Sequence, residues 1–213
     1  MEPHPPSALA EQLVRLAHLE TPPLEEIRYA TTYNFTGTKL YPFPIAFLHK
    51  DAAACLEKVQ QYLTSQGLGL KVWDGFRPMT IQQKMWDLIH DDRYVSDPAK
   101  NLGRHTRGTA VDVTLIDHRG CPLDMPTDFD DFSEKAHGEW AGASSLQKHN
   151  RALLREVMTR FGFEPYAFEW WHFDLHNWQQ HPPLDIDFSL IRKTWWLLAR
   201  DSGERLGRGL SSA

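Results

Sequence analysis

Two cysteines, Cys55 and Cys121, are all that 213 residues contain. So few cannot make a disulfide framework, and they fit a reducing compartment. Long apolar runs are also missing. None approaches the ~20 residues that a membrane helix requires. Charge of one sign is scarce too: 23 basic residues stand against 28 acidic ones, a net of −5, and no long basic run occurs. That removes the electrostatic footprint of a nucleic-acid binder. The N-terminus, Met1-Glu2-Pro3-His4-Pro5-Pro6, has neither a basic stretch nor an apolar one behind it. A signal peptide is therefore not expected, and the cytoplasm is the expected compartment. No internal repeat is visible.

What the chain does have is a hydrophobic fraction of 41%, enough for a sizeable core in one domain. It also has 8 Trp and 11 His, more than bulk folding explains.

Local patterns place the elements. Leu9, Leu13 and Leu16 recur at helical spacing behind Ser7, and Pro22-Pro23 would end that helix. Residues 27–49 read as irregular or short extended pieces. Asp51 opens a helix carrying Cys55, Leu56, Val59 and Leu63, with Gly67 just beyond its end. Leu68, Leu70 and Val72 alternate as a strand. Pro78 and Thr80 start a helix with Ile81, Met85, Leu88 and Ile89 inward. After a polar loop at 91–104, Ala110 to Leu115 is the cleanest strand, with Val111, Val113 and Leu115 on one face and Asp112 and Thr114 on the other. A loop-rich stretch, 117–142, follows. Ser144 or Ser145 caps a helix running to Phe161, and Phe168 to Leu175 is an aromatic-rich strand. Leu190 to Ala199 reads as a short helix and Ser202 to Ala213 as a frayed end. The sum is an α+β fold, one domain with a mostly antiparallel sheet flanked by helices. Its main unit is residues 1–180, with 181–213 as a C-terminal extension.

Three clusters could carry chemistry. In His105-Thr106-Arg107-Gly108-Thr109-Ala110-Val111-Asp112 an imidazole precedes a strand and a carboxylate lies on its polar face, a pair suited to zinc. Alone, the pair reads more simply as a loop histidine and a solvent-facing aspartate. Glu169-Trp170-Trp171-His172 sets a carboxylate before a histidine, as in metallopeptidases where Glu is the base and His the ligand. Residues three apart point to opposite faces of a regular strand, so Glu169 and His172 share a site only if the strand bulges or starts after Glu169. Arg77, in Trp73-Asp74-Gly75-Phe76-Arg77-Pro78, sits at a strand-to-helix turn, where a guanidinium can stabilise an oxyanion. By itself it reads more simply as a surface arginine. Together, two His, one Asp, one Glu and one Arg at the ends of three strands are the parts of a zinc hydrolase acting on an amide bond.

The chain resembles the VanX-type D-alanyl-D-alanine dipeptidases, in the wider group of zinc peptidases acting on D-Ala-D-Ala and related cell-wall peptides. The resemblance rests on Arg28-Tyr29-Ala30-Thr31 with Asn34-Phe35-Thr36-Gly37, then Trp73 to Pro78, His105 to Leu115, Met125 to Asp130, and Glu169 to His172. These stretches run in family order across about residues 27–175. The resemblance implies one zinc ion held by His105, Asp112 and His172. It implies Glu169 as the base, Arg77 as the group that stabilises the transition state, and Tyr29 and Asp130 near the substrate's ammonium. A packed tyrosine and a loop-capping aspartate would look the same in sequence. The expected partner is a small D,D-dipeptide, with neither nucleic acid nor membrane. Where family members carry Ser two residues before the first ligand, this chain has Gly103. That departure leaves room for a zinc D,D-carboxypeptidase or L,D-type peptidase acting on longer peptides. A zinc-stabilised binding module without turnover is the third possibility, and the presence of both Glu169 and Arg77 speaks against it.

Overall fold

A computed structural model describes residues 6–100, 103–184 and 186–191. In chain order the elements are α1 (Pro6–Ala10), β1 (Leu13–Arg15), β2 (Leu24–Glu25), β3 (Phe47–His49), α2 (Lys50–Ser65), β4 (Leu68–Asp74), α3 (Met79–Trp86), β5 (Ala110–Asp117), α4 (Ser145–Arg160), β6 (Phe163–Tyr166) and β7 (Glu169–Leu175). Five strands form the main sheet in the order β2-β4-β5-β7-β6. Only the short β2–β4 pair is parallel; the other three pairs are antiparallel. The α+β expectation holds.

The alternation read in β5 continues across the sheet. Register pairs Leu70 with Leu115, Val72 with Val113 and Val111 with Phe173. These apolar side chains share one face, and α2 and α4 cover it with Leu56, Val59, Leu63, Leu154, Val157 and Met158, all buried in one core. Loops cover the opposite face, so β7 is buried along its whole length. That second face carries Asp112, Thr114 and His172.

Both long helices start and stop as their sequences say. Ser144 and Gln147 form a reciprocal capping box on α4. Gly67 follows α2 at φ +74°, a conformation glycine adopts without a Cβ penalty.

The first predicted helix does not form beyond Ala10. Leu13–Arg15 instead pair antiparallel with Phe47–His49, and Leu16 turns into the core from a 3₁₀ turn. Long-range pairing overrides a three-leucine periodicity that is short and weak. Helix α3 stops at Trp86, which leaves Leu88 exposed rather than inward. Strand β6 was not expected; it is a sheet edge, the position that tolerates its Pro165. Leu184, Ile186, Phe188 and Ile191, beyond the aromatic strand, are buried in the same core. The helix expected at 190–199 and the frayed end lie, past residue 191, outside the described residues. No helix among the described residues is long and apolar enough to cross a membrane.

Candidate metal centre and substrate cleft

His105 reaches the cleft through a 3₁₀ turn, His105–Arg107, that ends on Gly108 at φ +69°. A Cβ on Gly108 would stand 2.8 Å from the backbone nitrogen of His49, so this bend requires glycine. Strand β5 follows at once and presents Asp112. Register then sets Asp112 beside His172 of β7.

The three side chains converge. His172 Nδ1 lies 3.0 Å from Asp112 Oδ1, His105 Nε2 lies 3.2 Å from His172 Nδ1, and His105 Nε2 lies 3.4 Å from Asp112 Oδ2. Ligands about 2.0–2.1 Å from a tetrahedral ion would be roughly 3.3 Å apart. The remote ring nitrogens are held. His105 Nδ1 donates to the Gly75 carbonyl at 2.8 Å, and His172 Nε2 donates to Asp174 Oδ1 at 2.9 Å. These bonds leave His105 Nε2 and His172 Nδ1 as the nitrogens facing Asp112, the arrangement of a histidine pair oriented for a cation. The donor set and its spacing therefore fit a zinc-sized divalent ion.

Electrostatics agree. Burial opposes ionisation of Asp112, but the two imidazoles outweigh it and hold the carboxyl below its ordinary range. Burial also opposes an imidazolium at His172, yet Asp174 and Asp112 push that ring up to about 10. A cation bound at Nδ1 would replace that proton.

Glu169 joins this group because β7 is irregular. Pairing with β6 shifts register between Pro165, opposite Phe173, and Tyr166, opposite Glu169. The bulge brings Glu169 Oε2 within 3.8 Å of His172 Nδ1, which meets the geometric condition set by the sequence. Burial raises the Glu169 carboxyl well above its ordinary range; His172 pulls it down, and Asp112 and Asp130 push it further up.

Arg77 is buried, not a surface residue. Its Nε and Nη2 donate to Asp74 Oδ2 at 3.2 and 2.7 Å. Its Nη1 donates to Gln82 Oε1 at 2.9 Å. The other oxygen of Asp74 accepts the Tyr41 hydroxyl at 2.7 Å. Burial works against the guanidinium, but Asp74 more than compensates and raises its pKa further. The result is a fixed cation at the wall of the cleft.

Tyr29 and Asp130 lie on the same cleft and touch each other. The Tyr29 hydroxyl donates to Asp130 Oδ1 at 2.9 Å, and the Phe35 N–H donates to Oδ2 at 3.2 Å. Burial pushes Asp130 up to about 7. Its φ of +61° is the only positive value at a non-glycine position among the described residues. Aspartate tolerates that conformation better than most residues, and such backbone often marks a functional loop.

Two supports escaped the sequence reading. Asp174 sits two residues after His172, on the same strand face, a parity that could have exposed it. Asp74 enters the sequence reading only as part of the Trp73 to Pro78 stretch, with no role of its own. Arg104 lines the cleft beside Gly103, with Nε 3.2 Å from Asp174 Oδ2 and its guanidinium over the Tyr166 and Trp178 rings. At Gly103 itself, a Cβ would come within 3.1 Å of Thr106 Oγ1, so Thr106 crowds the place a side chain would take.

Comparison with known proteins places the chain in a family. Residues 10–189 match the D-ala-D-ala dipeptidase family, Peptidase_M15. The D-alanyl-D-alanine dipeptidase of Escherichia coli (strain K12) is 38% identical over 179 residues, covering 84% of this chain and 92% of that protein. The enzyme of the same name from Enterococcus faecalis is 28% identical over 185 residues, covering 78% and 91%. Among solved structures, the vancomycin resistance D,D-pentapeptidase VanY aligns only remotely, with a TM-score of 0.41 and 15% identity over 75% of this chain and 82% of that one. The match along almost the whole described chain means that this protein is a peptidase of the D-Ala-D-Ala dipeptidase family.

Proposed function

We propose that the chain hydrolyses D-Ala-D-Ala, or a close D,D-dipeptide, with one zinc ion held by His105, Asp112 and His172. The observation that carries this reading is the convergence of three buried ligand atoms within 3.0–3.4 Å of one another, with Glu169 beside them. When bound there, zinc supplies Lewis acidity toward the amide carbonyl and acidifies water.

The chain's own groups do the rest. Glu169 takes a proton from the attacking water as its oxygen bonds to the carbonyl carbon. The same carboxyl then hands that proton to the departing nitrogen as the C–N bond breaks. Its burial favours the protonated form it must adopt between these two steps. Arg77, held by Asp74 and Gln82, offers a preorganised positive charge to the oxyanion. Asp130, aligned by Tyr29 and the Phe35 N–H, receives the substrate's ammonium. Arg104, lining the cleft beside Gly103, is the group placed to meet the substrate's carboxylate. Capture of both ends would restrict the substrate to dipeptides.

The missing side chain at Gly103 favours one second reading, a carboxypeptidase that accepts longer D,D-peptides. A single experiment separates the two. D-Alanine release is measured from D-Ala-D-Ala and from a D,D-tripeptide, using protein as purified, chelator-stripped and zinc-restored. Dipeptide cleavage alone, lost on stripping and regained with zinc, is expected. Efficient tripeptide cleavage would replace the dipeptidase reading with the carboxypeptidase one. Metal binding without cleavage of either peptide would remove both.

A further inference from the structure

A second histidine–aspartate cluster lies outside the cleft, and nothing in the proposed reaction uses it. His49 ends β3, Asp51 lies in the first turn of α2, and His181 follows the 3₁₀ turn Trp178–Gln180. Each offers a ligand atom, and the three atoms lie within 4.8 Å of one another. His181 Nε2 is 3.0 Å from Asp51 Oδ2, and His49 Nδ1 is 3.6 Å from the same oxygen. The two imidazole rings meet edge to face at 4.5 Å.

The hydrogen-bond pattern shows what this place lacks. His181 Nδ1 lies 3.2 Å from the Asn177 carbonyl, which can only accept, so that nitrogen carries the N–H. His49 Nδ1 accepts the Asp51 backbone N–H at a long 3.3 Å, so that nitrogen carries no proton, and an ion bound to its one lone pair would replace this capping bond. In the neutral rings, the unprotonated nitrogens of both histidines therefore lie 3.0 and 3.6 Å from one carboxylate oxygen. Acceptors set this closely require a positive charge among them. The same logic governs His105, Asp112 and His172. Both histidines are buried, whereas the Asp51 side chain is about half exposed, which opens the cluster to an ion and its remaining water ligands.

We propose that His49, Asp51 and His181 form a second site for a divalent transition-metal ion of the zinc class, which pins the segment after β7 to the start of α2. Two imidazoles and a carboxylate suit such borderline ions better than magnesium or calcium, which prefer oxygen ligands. The site would also brace the first one. His49 N–H donates to the Gly108 carbonyl at 2.8 Å, Leu184 N–H donates to the Thr106 carbonyl at 2.9 Å, and the Arg107 guanidinium donates to the His181 carbonyl. These bonds hold, from two sides, the turn that carries His105.

The test counts metal. Chelator-stripped wild type, Asp51→Ala, His181→Gln and His105→Gln are each loaded with zinc, freed of excess by gel filtration and analysed by mass spectrometry for bound zinc. Two ions per wild-type chain and one in each variant are expected. His105→Gln removes the site on which the proposed function rests and leaves this one, so the two readings fail separately. In that variant, free zinc a hundredfold above its Kd should raise Tm by about 5–10 °C. One ion in wild type, or two in both Asp51→Ala and His181→Gln, would overturn the proposal. A cluster held together by a protonated histidine alone gives the first of these results. Because the Asp51 side chain is exposed, Asp51→Ala should keep the wild-type circular dichroism, so its count stands even if His181→Gln misfolds.

Discussion

The molecule carries two clusters with the same donor set, two histidines and an aspartate, and they are built differently. His105, Asp112 and His172 are all buried, on a turn and two neighbouring strands at the centre of the main sheet. Both remote ring nitrogens have fixed acceptors, and Glu169 and Arg77 share the cleft. His49, Asp51 and His181 sit at element ends, and their carboxylate faces solvent. The difference teaches that ligand identity decides whether an ion can bind, while the surroundings decide what it can do. A hydrolase also needs a desolvated base and a cation aimed at the developing charge.

Several substitutions would break or sharpen this contrast. The largest effect is expected from Glu169→Gln, which keeps the shape of the cleft and removes its proposed base. D-Ala-D-Ala turnover should fall by about 10²–10⁴-fold while bound zinc stays at the wild-type count. An unchanged rate would put the base elsewhere and erase the main difference between the clusters.

Asp130 provides a pH signature for the cleft. Its pKa in the folded chain, about 7, stands above its ordinary value, so the folded state holds its proton more tightly than the unfolded one. Its contribution to stability is present in full below about pH 4 and is lost as pH rises to about 7. The loss is on the order of 4 kcal/mol. In urea melts of chelator-stripped protein, wild type should therefore lose stability relative to Asp130→Asn between pH 4 and pH 7.5. Parallel curves for the two proteins would show that Asp130 ionises freely.

Asp174→Asn tests the support of the first cluster. Removing the charge behind His172 Nε2 should weaken zinc binding in the cleft by about 10–100-fold, read by chelator competition. The smallest effect belongs to the other cluster. Asp51→Ala should leave turnover of D-Ala-D-Ala within about twofold of wild type while changing the zinc count. A large loss of turnover would couple the clusters far more tightly than the shared turn at His105–Gly108 implies.

Much of the fold was legible because its signals are local. Helices α2 and α4 have strong apolar faces and definite ends at Gly67 and Ser144. The β5 alternation named both the core face and the face with Asp112. The first helix failed for the opposite reason: Leu13 and Leu16 pair with partners 30 or more residues away, and their spacing resembles a helix by chance. The residues proposed as ligands, base and oxyanion arginine could be named from motif order. Of their supports, Asp174 could have been found by its parity with His172, whereas Asp74 could not be separated from an ordinary strand-end acid, because its role depends on Arg77 and on Tyr41, 33 residues away, folding against it.

By itself, the sequence determined which residue types were available, where α2, α4 and the central strand would form, and that a candidate hydrolytic set of His, Asp, Glu and Arg lay near strand ends. The tertiary structure alone decided how they meet. Only strand register sets His172 beside Asp112, and only a bulge in β7 turns Glu169 toward the same cleft. Only folding brings His181 to Asp51, 130 positions away. The physical reason is range: side-chain periodicity and capping act within a few residues, whereas a site is made by contacts whose geometry depends on the pairing of distant strands and on burial that no single segment can provide.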